Sequence, residues 1–155
     1  MRRLKLLFGS AAMLACVPVL ADGFGVADLL RVQTVSDPAF SPDGRMLVYS
    51  VSVADTALDE ETSDLWTVPL NGGKSTRITQ TKHSEWQPVF GPDGRTVFFL
   101  SDADKKGSTQ VWRMPIGGKA EAVTRFSEDV EDFALSPDGT ALAVIVRDAQ
   151  FKPGT

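Results

Sequence analysis

The chain has 155 residues, and its 16 lysines and arginines stand against 20 aspartates and glutamates, which gives a formal charge of −4. Surfaces that bind nucleic acids are positively charged, so this balance argues against a nucleic-acid partner. The single cysteine excludes an internal disulfide framework.

The first 21 residues have the pattern of a secretory signal peptide. A basic start, Met1–Lys5, is followed by an apolar stretch over residues 6–20 and by small residues before an aspartate. We therefore predict cleavage after Ala21 and a periplasmic or secreted protein. Because a membrane-spanning helix needs about 20 apolar residues, we predict no membrane span. A lipoprotein signal at Cys16 is the alternative, which the apolar residues beyond the cysteine disfavour. Cleavage at Ala21 removes three bases and no acids, so the charge becomes −7.

One short helix is predicted after this leader. Val26, Leu29, Leu30 and Gln33 fall at helical spacing. We therefore interpret residues 22–35 as a short helical lead-in to the rest of the chain.

A five-residue motif, called the turn phrase below, occurs three times after the lead-in: Phe40–Gly44, Phe90–Gly94 and Leu135–Gly139. The intervals of 50 and 45 residues match the period of a four-stranded propeller blade. Each phrase ends in Pro-Asp-Gly, in which proline fixes φ, aspartate caps the turn and glycine accepts a positive φ. The phrase is therefore a hairpin loop.

Short runs rich in β-branched and aromatic residues follow each loop and predict strands. The fold class is all-β, a partial propeller of about two and a half four-stranded, WD-like or TolB-like blades at residues 36–80, 84–125 and 129–150. Trp66 and Trp112 hold equivalent places and are expected to pack between blades. The predicted second strands are Met46–Val53, Thr96–Leu100 and Ala141–Val146, the third strands are Leu65–Val68 and Val111–Met114, and the outer strands end at Thr79 and Thr124.

The segment Asp28–Gly44 resembles the opening of bacterial members of the prolyl oligopeptidase family of serine peptidases, closest to the acylaminoacyl-peptidase and dipeptidyl-aminopeptidase branches. The turn phrase alone is less specific, since TolB-type propellers share it. The resemblance implies a helix, then a propeller, then an α/β-hydrolase domain, of which this chain covers only the first part of the propeller. We therefore expect a fragment of a longer peptidase or a truncated reading frame, because residues 151–155 fall where the third blade should turn toward its third strand.

The family's catalytic serine lies in a Gly-x-Ser-x-Gly elbow, which this sequence lacks. Ser75 follows Gly73 at the correct distance, but Arg77 stands where the second glycine should be. His83 is the sole histidine and lies between two blades. No catalytic, cofactor-binding or metal-binding residue is predicted, and no cofactor.

Two acidic segments are weighed as sites and assigned to solvated loops. Glu60 and Glu61, in a loop predicted from Ala54 to Ser63, resemble the glutamate pair with which dipeptidyl peptidases hold a substrate's amino terminus, but the surrounding motif is missing. The run from Asp102 through Asp104 to Lys106 approaches a calcium loop but places a lysine at a ligand position.

The leading functional hypothesis is an exported amino-terminal propeller portion of a serine peptidase that acts on short peptides, with a gating and docking role. A peptide substrate would then bind only through the missing hydrolase domain. The alternative is a TolB-like periplasmic propeller that binds a protein partner and has no enzymatic activity. In either case the isolated chain is expected to be poorly soluble or to self-associate through exposed edges, and to lack peptidase activity.

Overall fold

The computed structural model describes residues 32–55, 60–104 and 107–147. These residues form two four-stranded antiparallel sheets, with strand orders β1-β2-β3-β4 and β5-β6-β7-β8, and a pair β9-β10. We call the three sheets blades 1, 2 and 3. The predicted all-β partial propeller is thereby confirmed. The strands are β1 Gln33–Phe40, β2 Met46–Asp55, β3 Glu60–Pro69, β4 Thr76–Arg77, β5 Glu85–Phe90, β6 Thr96–Ser101, β7 Gln110–Pro115, β8 Glu121–Ala122, β9 Val130–Leu135 and β10 Leu142–Val146.

Two predicted boundaries are wrong in blade 1. The first strand begins at Gln33. Residues 33–35, the last three of the predicted helical lead-in over residues 22–35, therefore lie in β1, where they pair with Val51–Val53 of β2. Val32 is in neither a helix nor a strand, and residues 22–31 of the predicted lead-in lie outside the described residues, as does the signal peptide. The loop expected from Ala54 to Ser63 is also too long, because Ala54 pairs with Glu61 and extends the β2–β3 hairpin.

The first strand of each blade forms the inner edge of the array. β5 contacts β1, β2 and β3 of the preceding blade, whereas the substantial contacts of β4 are with β3 alone. Sheets that converge at one edge and separate at the other have the radial arrangement of propeller blades. The inner strands β1, β5 and β9 therefore line the side on which a propeller has its central channel.

Each blade packs one face against the next blade, and we call the face toward the following blade its forward face and the opposite one its backward face. Val48 and Leu65, on the forward face of blade 1, are fully buried against the backward face of blade 2. Leu100 and Val111, on the forward face of blade 2, are likewise buried against blade 3. Burying one such side chain stabilises a fold by roughly 1.5–3 kcal/mol, so these two clusters hold the blades together. The backward face of blade 2 contributes Phe90, Val97, Phe99 and Met114, and blade 3 contributes Val130, Phe133, Leu142, Val144 and Val146.

The two tryptophans have different environments. Trp112 packs against the cluster between blades 1 and 2, as predicted. Trp66 follows Leu65 along β3 and therefore points to the opposite, backward face of blade 1. No described blade precedes blade 1, so the predicted packing of Trp66 between blades is not observed among the described residues.

Candidate interaction surfaces

The three Pro-Asp-Gly turns lie side by side at one end of the blades. In each turn the glycine N–H donates to the carbonyl three residues earlier, at 2.8 Å in blade 1, 3.0 Å in blade 2 and 2.8 Å in blade 3. The glycines have φ values of 66°, 62° and 71°, which is the left-handed region that the phrase predicts. A Cβ on Gly139 would lie 2.7 Å from Pro92 Cγ, so the third turn packs closely on the second.

The aspartates of these turns are held by their own loops. Hydrogen bonds from the Ser136 hydroxyl and from Thr140 lower the pKa of Asp138 to about 2. A hydrogen bond from the Ser41 hydroxyl lowers the pKa of Asp43 below its usual value. Carboxylates that are already bonded within their own turns stabilise the loops, and we assign them a structural role.

A ladder of polar side chains crosses the inner strands at equivalent positions of the repeat. Asp37 and Gln87 each interrupt the strand register as a bulge and each have a φ of 51°. The Gln87 N–H donates to Asp37 Oδ2 at 3.3 Å, and Gln87 Nε2 donates to Asp132 Oδ1 of blade 3. Non-glycine residues with positive φ are uncommon, and they occur where the surrounding structure fixes them. The ladder therefore ties the three blades together at the inner edge while leaving Asp37 and Asp132 exposed.

A buried carboxyl group lies where β5 meets blade 1. Glu85 is 2% exposed, its Oε1 accepts a hydrogen bond of 2.6 Å from the Thr81 hydroxyl, and its Oε2 has no partner. Burial raises the pKa of Glu85, and the nearby Asp64 and Asp102 carboxylates act in the same direction. The equivalent residues of blades 1 and 3 are Val35 and Val130, so the repeat itself marks Glu85 as an exception.

The residues singled out in the sequence do not converge on one site. Glu61 is exposed at the start of β3, at the outer end of a long hairpin, and Ser75 is exposed between β3 and β4. His83 lies in the connection between blades 1 and 2, where its Nδ1 is 3.4 Å from Asp102 Oδ1. Asp102 Oδ1 also accepts a 2.9 Å hydrogen bond from the Ser84 N–H. The pair therefore anchors the connection into β5.

Sequence reasoning missed the inner ladder and Glu85. Asp37, Gln87 and Asp132 are separated by the same 50 and 45 residues as the turns, and this equivalence is the signal that identifies them. Among the described residues, no three His, Cys, Asp or Glu side chains are grouped as a metal site requires. The described segments also contain no helix long and apolar enough to cross a membrane.

Comparison with family models matches residues 30–153 to the TolB beta propeller domain. The chain belongs to this TolB propeller family. The match covers all three blades.

Two curated relatives of this TolB propeller are peptidases. It is 30% identical to an uncharacterized peptidase of Bacillus subtilis, YuxL, over 77% of this chain and 18% of the relative. It is 34% identical to dipeptidyl-peptidase 5 of Porphyromonas gingivalis over 68% of this chain and 15% of the relative. The predicted resemblance to amino-terminal propellers of the prolyl oligopeptidase family is confirmed, and the chain spans less than a fifth of either relative.

Solved structures share the fold of this TolB propeller. TolB of Acinetobacter baumannii superposes with a TM-score of 0.60 and 24% identity, over 74% of this chain and 27% of that one. The acylaminoacyl peptidase of Pyrococcus horikoshii gives a TM-score of 0.62 and 16% identity, over 79% of this chain and 19% of that one. The same propeller architecture thus occurs both in TolB and in peptidases of this kind.

Proposed function

We propose that this chain is the exported amino-terminal propeller portion of a serine peptidase that acts on short peptides. Its role is to gate and dock substrates, while the bond-breaking residues belong to a hydrolase domain outside these 155 residues. The observation that carries the proposal is the identity of 30% and 34% to two peptidases over most of the chain.

The inner edge of the blades supports a gating role. The exposed carboxylates of Asp37 and Asp132 lie on the inner strands, where a closed propeller has its channel. The Gln87 side chain and backbone hold these two positions from the intervening blade. Rigid polar groups along a passage select what enters it, whereas hydrolysis needs a nucleophile and a base elsewhere.

An activity-based probe tests the proposal. An antibody against residues 32–147, applied to the exported fraction of the source cells, should capture a species longer than 155 residues that reacts with a fluorophosphonate. The purified 155-residue chain is the matched control and should neither react nor hydrolyse a chromogenic dipeptide amide. A captured species without a reactive serine contradicts the proposal.

A second function, that of a protein-binding propeller without enzymatic activity, is favoured by the family match to the TolB propeller domain. In this case the exposed surfaces bind an envelope protein. Crosslinking in intact cells distinguishes the two functions, because an unreactive species that repeatedly crosslinks to one envelope protein supports the binding role and argues against the peptidase.

A further inference from the structure

The backward face of blade 1 has the composition of a buried face. Its large side chains occupy the same repeat positions as the side chains of blade 2 that pack against blade 1. Phe40 is 66% exposed, whereas its equivalent Phe90 is 7% exposed. Val35, on the same face, is 64% exposed. The equivalent pairs are Phe40 and Phe90, Leu47 and Val97, Tyr49 and Phe99, Trp66 and Trp112, and Val68 and Met114.

The forward face of blade 3 is the other uncovered end of the array. Ala134, Ala143 and Ile145 are exposed there, and Ile145 is 57% exposed. Their equivalents in blade 2 cover the backward face of blade 3 and belong to the second cluster. These equivalents are Val89, Phe98 and Leu100. Blade 3 therefore presents the kind of face that covers a following blade.

Every blade contact in the described part of the chain joins a forward face to a backward face. The two faces that no described blade covers are the backward face of blade 1 and the forward face of blade 3. A second copy of the chain carries the matching partner for each of these two faces, because the forward face of blade 2 and the backward face of blade 3 already make the same kind of contact.

We propose that copies of this 155-residue chain associate head to tail, with the forward face of blade 3 of one copy packed on the backward face of blade 1 of the next. The interface repeats the contact that blades 1 and 2 make within the chain. Because the two surfaces differ, the association is heterologous and leads to a closed ring or to an open chain of copies.

Sedimentation of paired variants tests the geometry. The purified chain should show a mass that rises with concentration. Phe40→Asp and Ile145→Asp each introduce a charge on one end face and should each be monomeric. Their equimolar mixture should form a dimer with twice the monomer mass, because each variant retains the one face that the other has lost.

Controls separate lost contact from lost fold. Leu70→Asp alters an apolar residue that is 47% exposed in the loop after β3 and should associate like the unaltered chain. Near-ultraviolet circular dichroism checks each variant, and the pair Val35→Asp and Ala143→Asp replaces the first pair if either member is unfolded.

Three outcomes overturn the proposal. A chain that stays monomeric shows that its own first residues or solvent cover the face. An Ile145→Asp variant that still dimerises indicates pairing of two backward faces. A mixture of folded variants that remains monomeric excludes the head-to-tail contact.

Discussion

At the scale of single residues, the three turn glycines have the same backbone conformation but different neighbours. All three have positive φ, yet a Cβ on Gly44 would meet nothing within 4 Å, whereas one on Gly139 would lie 2.7 Å from Pro92 Cγ. We expect Gly44→Ala to lower the free energy of unfolding by about 1–2 kcal/mol, the cost of a left-handed alanine. Gly139→Ala should cost about 1–3 kcal/mol more because of overpacking.

Urea denaturation of the two glycine variants measures this difference. Gly94→Ala is a further control, because its Cβ would lie 3.7 Å from Pro42 Cδ, an ordinary contact. It should therefore resemble Gly44→Ala. Equal losses at Gly44 and Gly139 would show that the turns are not in contact.

Glu85 makes the stability of the blades depend on pH. Because burial raises its pKa in the folded state above the unfolded value, the protonated carboxyl stabilises the fold at low pH. This contribution is lost as the pH rises from about 4.3, the ordinary glutamate value, through the raised folded pKa. Glu85→Gln should therefore gain stability relative to the unaltered chain as the pH rises across that window.

Denaturation at the two ends of the window tests this effect. Glu61→Gln is the matched control, since Glu61 is exposed on β3. The difference in the free energy of unfolding between Glu61→Gln and the unaltered chain should be similar at both pH values. A Glu85→Gln difference that does not change with pH would contradict burial of an ionisable group.

At the scale of secondary structure elements, a threonine after the outer strand of blades 1 and 2 accepts a hydrogen bond from the backbone of the third strand. The Thr124 hydroxyl accepts a hydrogen bond of 2.9 Å from the Val111 N–H and donates one of 2.8 Å to Gln110 Oε1. Thr124→Val keeps the shape but leaves a buried N–H unpaired. We expect a loss of about 1–3 kcal/mol in the free energy of unfolding.

Hydrogen exchange locates the effect of this substitution. The amide of Val111 should lose protection in Thr124→Val. In blade 1, Thr79 makes the equivalent bond of 2.8 Å to the Leu65 N–H, so Thr79→Val should expose that amide instead. Thr76→Val, at an exposed position of β4, is the control and should change neither amide.

The same elements show how much the sequence could predict. The turns and second strands follow from local chemistry, and β6 exceeds its predicted range by a single residue, Ser101. The bulges at Asp37 and Gln87 could not be predicted, because a positive φ at a non-glycine residue depends on contacts with the next blade. The contact of His83 with Asp102 likewise depends on the pairing of β5 with β6, which brings together residues far apart in sequence.

At the scale of the whole molecule, each blade is stabilised by its immediate neighbours, as in other repeat proteins. Phe90 and Phe40 occupy equivalent positions, but only Phe90 is buried between two blades, with an exposed fraction of 7%. Phe90→Ala should lower the free energy of unfolding of the monomer by about 3–5 kcal/mol. Phe40→Ala should change it by about 0.5 kcal/mol or less, as at other surface positions.

Dilute samples are needed for this comparison, so that association does not contribute to stability. Thermal unfolding in the presence of denaturant gives both values for chains of the same length. Similar losses for the two phenylalanines would show that the backward face of blade 1 is covered within the monomer.

Export can be tested independently of the fold, because β1 begins at Gln33 and cleavage after Ala21 leaves all of the described strands in place. Produced in a bacterial host with its own first residues, the chain should reach the periplasm and begin at Asp22, as measured by mass spectrometry of the intact protein. Cys16→Ser should leave this start unchanged, because the cysteine lies within the predicted leader. A lipid-modified chain that begins at Cys16, and that is lost in the serine variant, would establish the lipoprotein alternative. An unprocessed chain that remains in the cytoplasm would contradict both.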